Sequence, residues 1–146
     1  MTDIRPGEES VPLPTATDAG VYFIGRIRTP WKTRAECPRR GAHDGPVCDI
    51  VLDDRWQAAL SGLEPGQRVQ VLYWMHQSRR DLTIQIPRNS GRRLGTFALR
   101  SPVRPNPIAS SVVILEAIDG AILRVRGLDC LDGTPLIDLK PDRPAA

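Results

Sequence analysis

Cysteine and histidine are scarce in this 146-residue chain. Its three cysteines, Cys37, Cys48 and Cys130, are odd in number and form no Cys-x-x-Cys pair. That argues against a disulfide framework and a zinc ribbon. The two histidines, His43 and His76, stand in no recognised ligand spacing, so no metal site is expected. Long apolar runs are also missing. The longest, Val71 to Met75, is strand-sized and far short of the roughly 20 residues of a membrane helix. The N-terminus lacks the basic-then-apolar order of a secretory leader, and a cytoplasmic protein with no membrane contact is the expectation. No Gly-x-Gly-x-x-Gly occurs, which argues against a Rossmann cofactor site, and the lack of a Walker sequence excludes a phosphate-loop nucleotidase. No serine nucleophile elbow is present.

Lysine is nearly absent as well: 18 of the 20 basic residues are arginine. Genomic base composition accounts for part of that bias, and phosphate recognition by guanidinium forks is the alternative. Charge is unevenly placed. Residues 26–104 hold 15 Lys/Arg against 7 Asp/Glu, a net of +8, whereas residues 105–142 hold 3 against 6, a net of −3. The length fits one domain, and 40% hydrophobic with 25% charged residues is ordinary for a globular protein.

Residues 1–19, rich in Pro, Thr, Ser and Glu, read as a flexible arm ahead of a domain over 20–146. Strand patterns follow at Val21–Arg28, Val47–Leu52, Arg68–Met75, Leu82–Ile86, Gly95–Leu99, Ser111–Ile118, Ala121–Leu128 and Pro135–Leu139. Asp119-Gly120 marks a hairpin turn. Asp53 or Asp54 can cap one short helix reaching about Leu63, with Trp56, Leu60 and Leu63 on one face. The predicted fold is mainly β: a small closed barrel of about seven strands with one short helix, a barrel being preferred to a sandwich because it has no edge strands. Val112–Leu115 and the apolar side of Arg68–Met75 exceed what one small barrel obviously needs, which motivates a two-fold homodimer.

Three loops carry candidate chemistry. Arg100 to Ile108 sets three prolines in six residues, a rigid frame displaying Arg100, Arg104 and Asn106; a stiff strand connection explains the same pattern. Leu131-Asp-Gly-Thr-Pro135 is a turn, followed by Asp138 and Lys140, two apart and so on one strand face. His76-Gln77 follows the apolar strand directly.

In order along the chain, Ile24-Gly-Arg-Ile27, Pro38-Arg-Arg40, His76-Gln77, Gly95 to Ser101, Arg104-Pro-Asn-Pro-Ile108, Gly127 to Pro135 and Asp138-Leu-Lys-Pro141 resemble the TsaA-like (YaeB-like) family over about residues 20–141. The resemblance implies a β-barrel methyltransferase that uses S-adenosylmethionine to methylate the exocyclic nitrogen of threonylcarbamoyladenosine beside a tRNA anticodon. It also implies a homodimer that engages the tRNA anticodon loop. Carried over by motif, the cofactor contacts fall on Pro38, Arg39, Arg40, Gly41, His76, Gln77, Arg100, Ser110, Leu131, Asp132, Gly133 and Thr134. Asp138, Lys140 and Asn106 fall on the reactive face, with Asp138 the leading proton acceptor. The chain departs from the family pattern at Arg40, usually Gln, at Ala109, usually Gly, and at Asp142, usually Tyr. Two other classes fit the same residues: a methyltransferase for another small molecule or RNA, and a cofactor- or RNA-binding module without catalysis.

Overall fold

The computed structural model describes residues 3–143. Two compact units emerge, one joining residues up to Gly20 with Met75–Ala109, the other joining Val21–Trp74 with the chain from Ser110 onward.

The larger unit is a closed barrel. Its strands are β2 (Gly25–Arg28), β3 (Val47–Leu52), β4 (Arg68–Trp74), β7 (Ile108–Asp119), β8 (Ile122–Arg126) and β9 (Thr134–Pro141), in the order β2-β3-β8-β7-β4-β9. Period-2 patterning explains which way each strand faces. Cys48, Ile50 and Leu52 of β3, Val69, Val71 and Tyr73 of β4, and Leu123 and Val125 of β8 are buried, while their neighbours are not. Val113 and Leu115 are likewise fully buried, so the inward half of the apolar segment that suggested a dimer belongs to the barrel's own core, while Val112 and Ile114 stay partly exposed. At six strands the lumen is narrow enough for these side chains to fill it.

Asp119 pairs with Ile122, which leaves Gly120-Ala121 as the two-residue turn between β7 and β8. Gly120 takes φ +61° at the first central position, and Ala121 keeps a negative φ. That is the type II′ pattern, whose twist suits a hairpin.

The β4–β9 seam contains an irregularity with consequences. Leu72 pairs with Asp138, yet Tyr73 pairs with Leu136, so Ile137 is an extra residue in β9. It reverses the strand's parity. Leu136 faces inward, and beyond the bulge Leu139 lies opposite buried Val71. Asp138 and Lys140 lie opposite Leu72 and Gln70, on the outward face.

The smaller unit is a three-stranded sheet, β1 (Glu9–Ser10), β5 (Leu82–Gln85) and β6 (Leu94–Gly95), in the order β1-β5-β6. Its centre is polar: buried Gln85 donates Nε2 to Thr96 Oγ1 at 2.9 Å and to Val103 O at 2.7 Å, and Thr96 Oγ1 donates to Leu82 O at 2.6 Å.

Several sequence expectations need correction. The barrel closes with six strands, not about seven, because β5 and β6 leave it for the smaller sheet. Gly95–Leu99 is not a strand; after β6 a 3-10 turn covers Thr96–Ala98. The first barrel strand starts at Gly25, not Val21. The one short helix is a 3-10 helix, Asp54–Leu60, whose Asp53 makes no side-chain capping bond, and two shorter 3-10 turns accompany it. Within the segment that reads as a flexible arm, Glu9–Ser10 pair with β5, Arg5 donates to Ile86 O at 2.6 Å, and Glu8 accepts from Ile86 N at 2.9 Å. Among the described residues, no helix is long and apolar enough to cross a membrane.

Leu136 lies on the barrel's inner face with no exposure, whereas Phe97 is 81% exposed. Leu136→Ala should therefore lower the unfolding free energy by about 2–5 kcal/mol in urea titration. Phe97→Ala should change it by less than about 0.5 kcal/mol.

Candidate functional site

The sequence-predicted residues are divided between the two units. Pro38–Gly41, Ser110, Leu131–Thr134, Asp138 and Lys140 belong to the barrel unit; His76, Gln77, Arg100 and Asn106 belong to the smaller one.

Within the barrel unit the 38–41 loop meets the segment just ahead of the Leu131–Thr134 turn. A Cβ on Gly41 would lie 1.7 Å from Gly127 O, so the backbone of the 38–41 loop is in direct contact with the start of the irregular 127–130 segment that follows β8 and precedes Leu131–Thr134. Only glycine permits that approach. The same loop is held again two residues on, where His43 Nε2 donates to Val112 O at 2.9 Å. Arg39 and Arg40 are exposed and make no ion pair among the described residues.

The Leu131–Thr134 turn is fixed by bonds in several directions. Thr134 N and Oγ1 both donate to Leu131 O, at 3.2 and 2.6 Å. Asp132 N donates to Trp31 O and Gly133 N to Ile27 O, each at 2.8 Å. The Asp132 carboxylate accepts from Thr29 N at 3.0 Å and from Lys32 Nζ at 2.6 Å. Thr29 Oγ1 donates to Cys130 O at 2.8 Å. Asp132 is therefore a tie between the turn and residues 29–32. The Lys32 bond, then the Thr29 amide, holds its carboxyl below the usual aspartate range.

Behind the turn lies a network that the sequence did not disclose. Buried Tyr73 donates its hydroxyl to Asp129 Oδ1 at 2.8 Å and lies 2.8 Å from Ser111 Oγ. Burial, then the Asp129 charge, pushes the phenol pKa up. Gln70 Nε2 donates to the predicted Ser110 Oγ at 2.9 Å. Alternation within β4 placed Tyr73 inward, but its partners come from β7 and the 127–130 segment, and only tertiary pairing reveals them.

Asp138 and Lys140 do come together: Lys140 Nζ lies 3.3 Å from Asp138 Oδ2, with the side chains 57% and 45% exposed respectively. Both line a cleft of about 500 Å³, together with Trp56, Leu60, Leu63 and Leu139. The apolar face predicted for the short helix thus lines this cleft. Asp138 does not touch the turn; it lies four residue steps along the strand from Thr134, roughly 13 Å at strand rise.

In the smaller unit, His76, Gln77 and Arg100 are exposed. Asn106 Oδ1 accepts from Arg80 Nη2 at 3.1 Å, and Arg80 Nε donates to Pro105 O at 2.5 Å. Arg80 is thus a residue that sequence reasoning missed. Arg104 does not display its guanidinium freely: it donates to Leu99 O at 2.8 Å and Ser101 O at 3.1 Å, closing its own loop.

A family model described as the tRNA-methyltransferase O N-terminal domain matches residues 26–146. The chain belongs to this family. Its relatives include a Rhizobium radiobacter protein named "Probable S-adenosyl-L-methionine-binding protein VirR", 49% identical over 142 residues, 97% of this chain and 81% of the relative. The tRNA (adenine(37)-N6)-methyltransferase of Escherichia coli is 36% identical over 135 residues, 84% of this chain and 57% of that enzyme. A crystal structure of TrmO from Pseudomonas aeruginosa superposes with a TM-score of 0.71 at 34% identity, covering 88% of this chain and 57% of that one. The TrmO-domain chain therefore spans just over half the length of these last two proteins.

Asp132 has a depressed folded-state pKa, so its contribution to stability is present above the unfolded value near 4 and lost as pH falls through the folded one. Asp132→Asn should lower the thermal midpoint at pH 6–7. The gap to the parent should shrink as pH drops below about 4. An unchanged gap at pH 3 would show that the charge is not what holds the turn.

Proposed function

We propose that this TrmO-domain chain is an S-adenosylmethionine-dependent methyltransferase that modifies tRNA. The observation that carries the reading is the contact of Gly41 with Gly127, which packs the 38–41 loop onto the segment just ahead of the braced Leu131–Thr134 turn. The family resemblance assigns the methyl donor to that loop and that turn, and the names of the relatives above fit the same reading.

The chemistry of the available groups suits that donor. Arg39 and Arg40 supply free guanidinium groups for its carboxylate. Leu131 adds an apolar surface in the barrel unit. In the smaller unit His76 and Gln77 carry hydrogen-bonding groups and Arg100 a cation, the residues to which the family resemblance also assigns donor contacts. Ser110, Asp132, Gly133 and Thr134 hold the backbone in shape. When bound, the donor supplies an electrophilic methyl on a sulfonium sulfur, a good leaving group.

The protein's own task is positioning and proton removal. We assign the substrate to the cleft beside Asp138 and Lys140, and specifically to the exocyclic nitrogen of threonylcarbamoyladenosine beside the anticodon. A carbamoylated nitrogen is a weak nucleophile, so its proton must be drawn off as the new N–CH3 bond forms. Asp138 accepts that proton. Lys140 steadies the Asp138 charge before transfer and attracts anionic parts of the substrate. Asn106, which the family resemblance also assigns to the reactive face, is held by Arg80 within the smaller unit. The surplus of arginine over 26–104 serves the RNA phosphates. The working form in this reading is a cytoplasmic homodimer, as the family resemblance implies; a monomer mass in light scattering at micromolar concentration would remove that part.

Calorimetric titration with S-adenosylmethionine tests the donor site: saturable heat is expected, and no heat at millimolar donor would overturn the reading. Gly41→Ala should weaken donor binding at least tenfold, because the loop cannot keep its seat on Gly127. Asp138→Asn should leave donor affinity within about twofold and cut methyl transfer to tRNA by about 10²–10⁴. Near-full turnover in Asp138→Asn would reduce the residue to a structural partner of Lys140.

A further inference from the structure

One surface of the barrel is unused by the proposed site. Arg26 and Arg28 alternate along β2 with buried Gly25 and Ile27, so both guanidinium groups share the outward face. Neither forms an ion pair among the described residues, although Arg28 lies near Asp132 and opposite Asp49. Arg26 lies opposite Pro135 of β9, and Tyr73 of β4 lies opposite Leu136, which brings Trp74 to the same end of this outer face. Phe23, in the extended segment before β2, packs on Trp74 with ring centroids 6.2 Å apart and planes tilted by 48°. The Arg26 guanidinium carbon sits 5.6 Å from the Phe23 centroid. Phe23 nevertheless stays 39% exposed, and neighbouring Tyr22 is 81% exposed.

We infer that Tyr22, Phe23 and Trp74, with Arg26 and Arg28, form a docking surface for unpaired bases of RNA. Every base has a π face, so an exposed aromatic ring accepts bases with little regard to sequence. A guanidinium against that ring contributes cation–π attraction and keeps donors free for phosphate oxygens. Charge decides between RNA and a second copy of this chain. A two-fold interface on this face would bring unpaired arginines toward their own counterparts, whereas a polyanion neutralises them. An aromatic-only patch would favour protein; aromatics interleaved with free arginines favour single-stranded nucleic acid. The inference rests on the proposed reading for its choice of RNA as partner.

The test measures binding of a fluorescein-labelled RNA hairpin with a seven-nucleotide loop, without methyl donor, by anisotropy across a salt series. Phe23→Ala and Tyr22→Ala should each weaken binding about tenfold, with the more exposed Tyr22 guarding against a folding defect. Arg26→Gln should lower the slope of log affinity against log salt by about 0.7–1. Phe97→Ala, an equally exposed aromatic in the smaller unit, should bind as the parent does. Hairpin affinity unchanged in both aromatic variants overturns the inference. So does a Phe23→Ala protein whose mass halves in light scattering while RNA affinity per protomer is retained, since the face then serves a second copy. Donor calorimetry on the same proteins separates the two readings. Failure of the parent to bind donor, with hairpin binding still dependent on Phe23, removes the methyltransferase and leaves the RNA surface. Intact donor binding with hairpin binding indifferent to Tyr22 and Phe23 removes only the surface.

Discussion

The seam between β4 and β9 is the constraint on which the rest depends. It closes a six-stranded sheet on itself and so removes the two edges an open sheet would expose. The seam closes with one residue too many in β9. The bulge at Ile137 lets Leu136 face the barrel interior and sets Leu139 opposite buried Val71, and it places Asp138 and Lys140 on the outward face. Strict alternation from Leu136 would have pointed both charges into a lumen filled by Val69, Val71 and Leu115. A lone pair of charges there would have lost far more solvation than the pair could recover.

Rigidity is distributed according to task. The Leu131–Thr134 turn enters β9 already braced by backbone bonds to Ile27 and Trp31 and by the carboxylate of Asp132. Tyr73, Asp129 and Ser111 lock the strand ends behind it, and among the described residues no buried side-chain nitrogen or oxygen lacks a partner. By contrast, the Asp138–Lys140 pair is half exposed, where a surface ion pair adds little stability. A braced turn and a solvent-reachable charge pair beside an open cleft suit the proposed enzyme, whose second substrate is large and approaches from outside.

Much of this was legible in the sequence, for reasons that particular residues show. Val47–Leu52 is a short run rich in β-branched and apolar residues and is a strand over that same range. Asp119-Gly120 announced the hairpin, and glycine supplies the positive φ the turn requires. The pairing of Asp138 with Lys140 followed from two-residue spacing alone. What stayed hidden depends on tertiary pairing. Periodicity shows that Leu82–Gln85 is a strand but not that it abandons the barrel for Glu9–Ser10. No local signal marks Ile137 as a bulge, because a branched aliphatic suits either parity. Asp132 reads as a free turn aspartate until Lys32, a hundred positions earlier, is seen to hold it. Arg104 and Asn106 look equally displayed in sequence, yet one ties its own loop and the other is held by Arg80.

The central claim is that this barrel transfers a methyl group to tRNA. It is tested most directly by incubating the purified chain with S-adenosylmethionine and bulk tRNA from a strain lacking its gene, then resolving the digested nucleosides by mass spectrometry. The account predicts one new product, threonylcarbamoyladenosine carrying a single added methyl, with the donor consumed in equal amount. Donor binding by the same protein sample with no methylated nucleoside formed would contradict it and leave a binding module in its place.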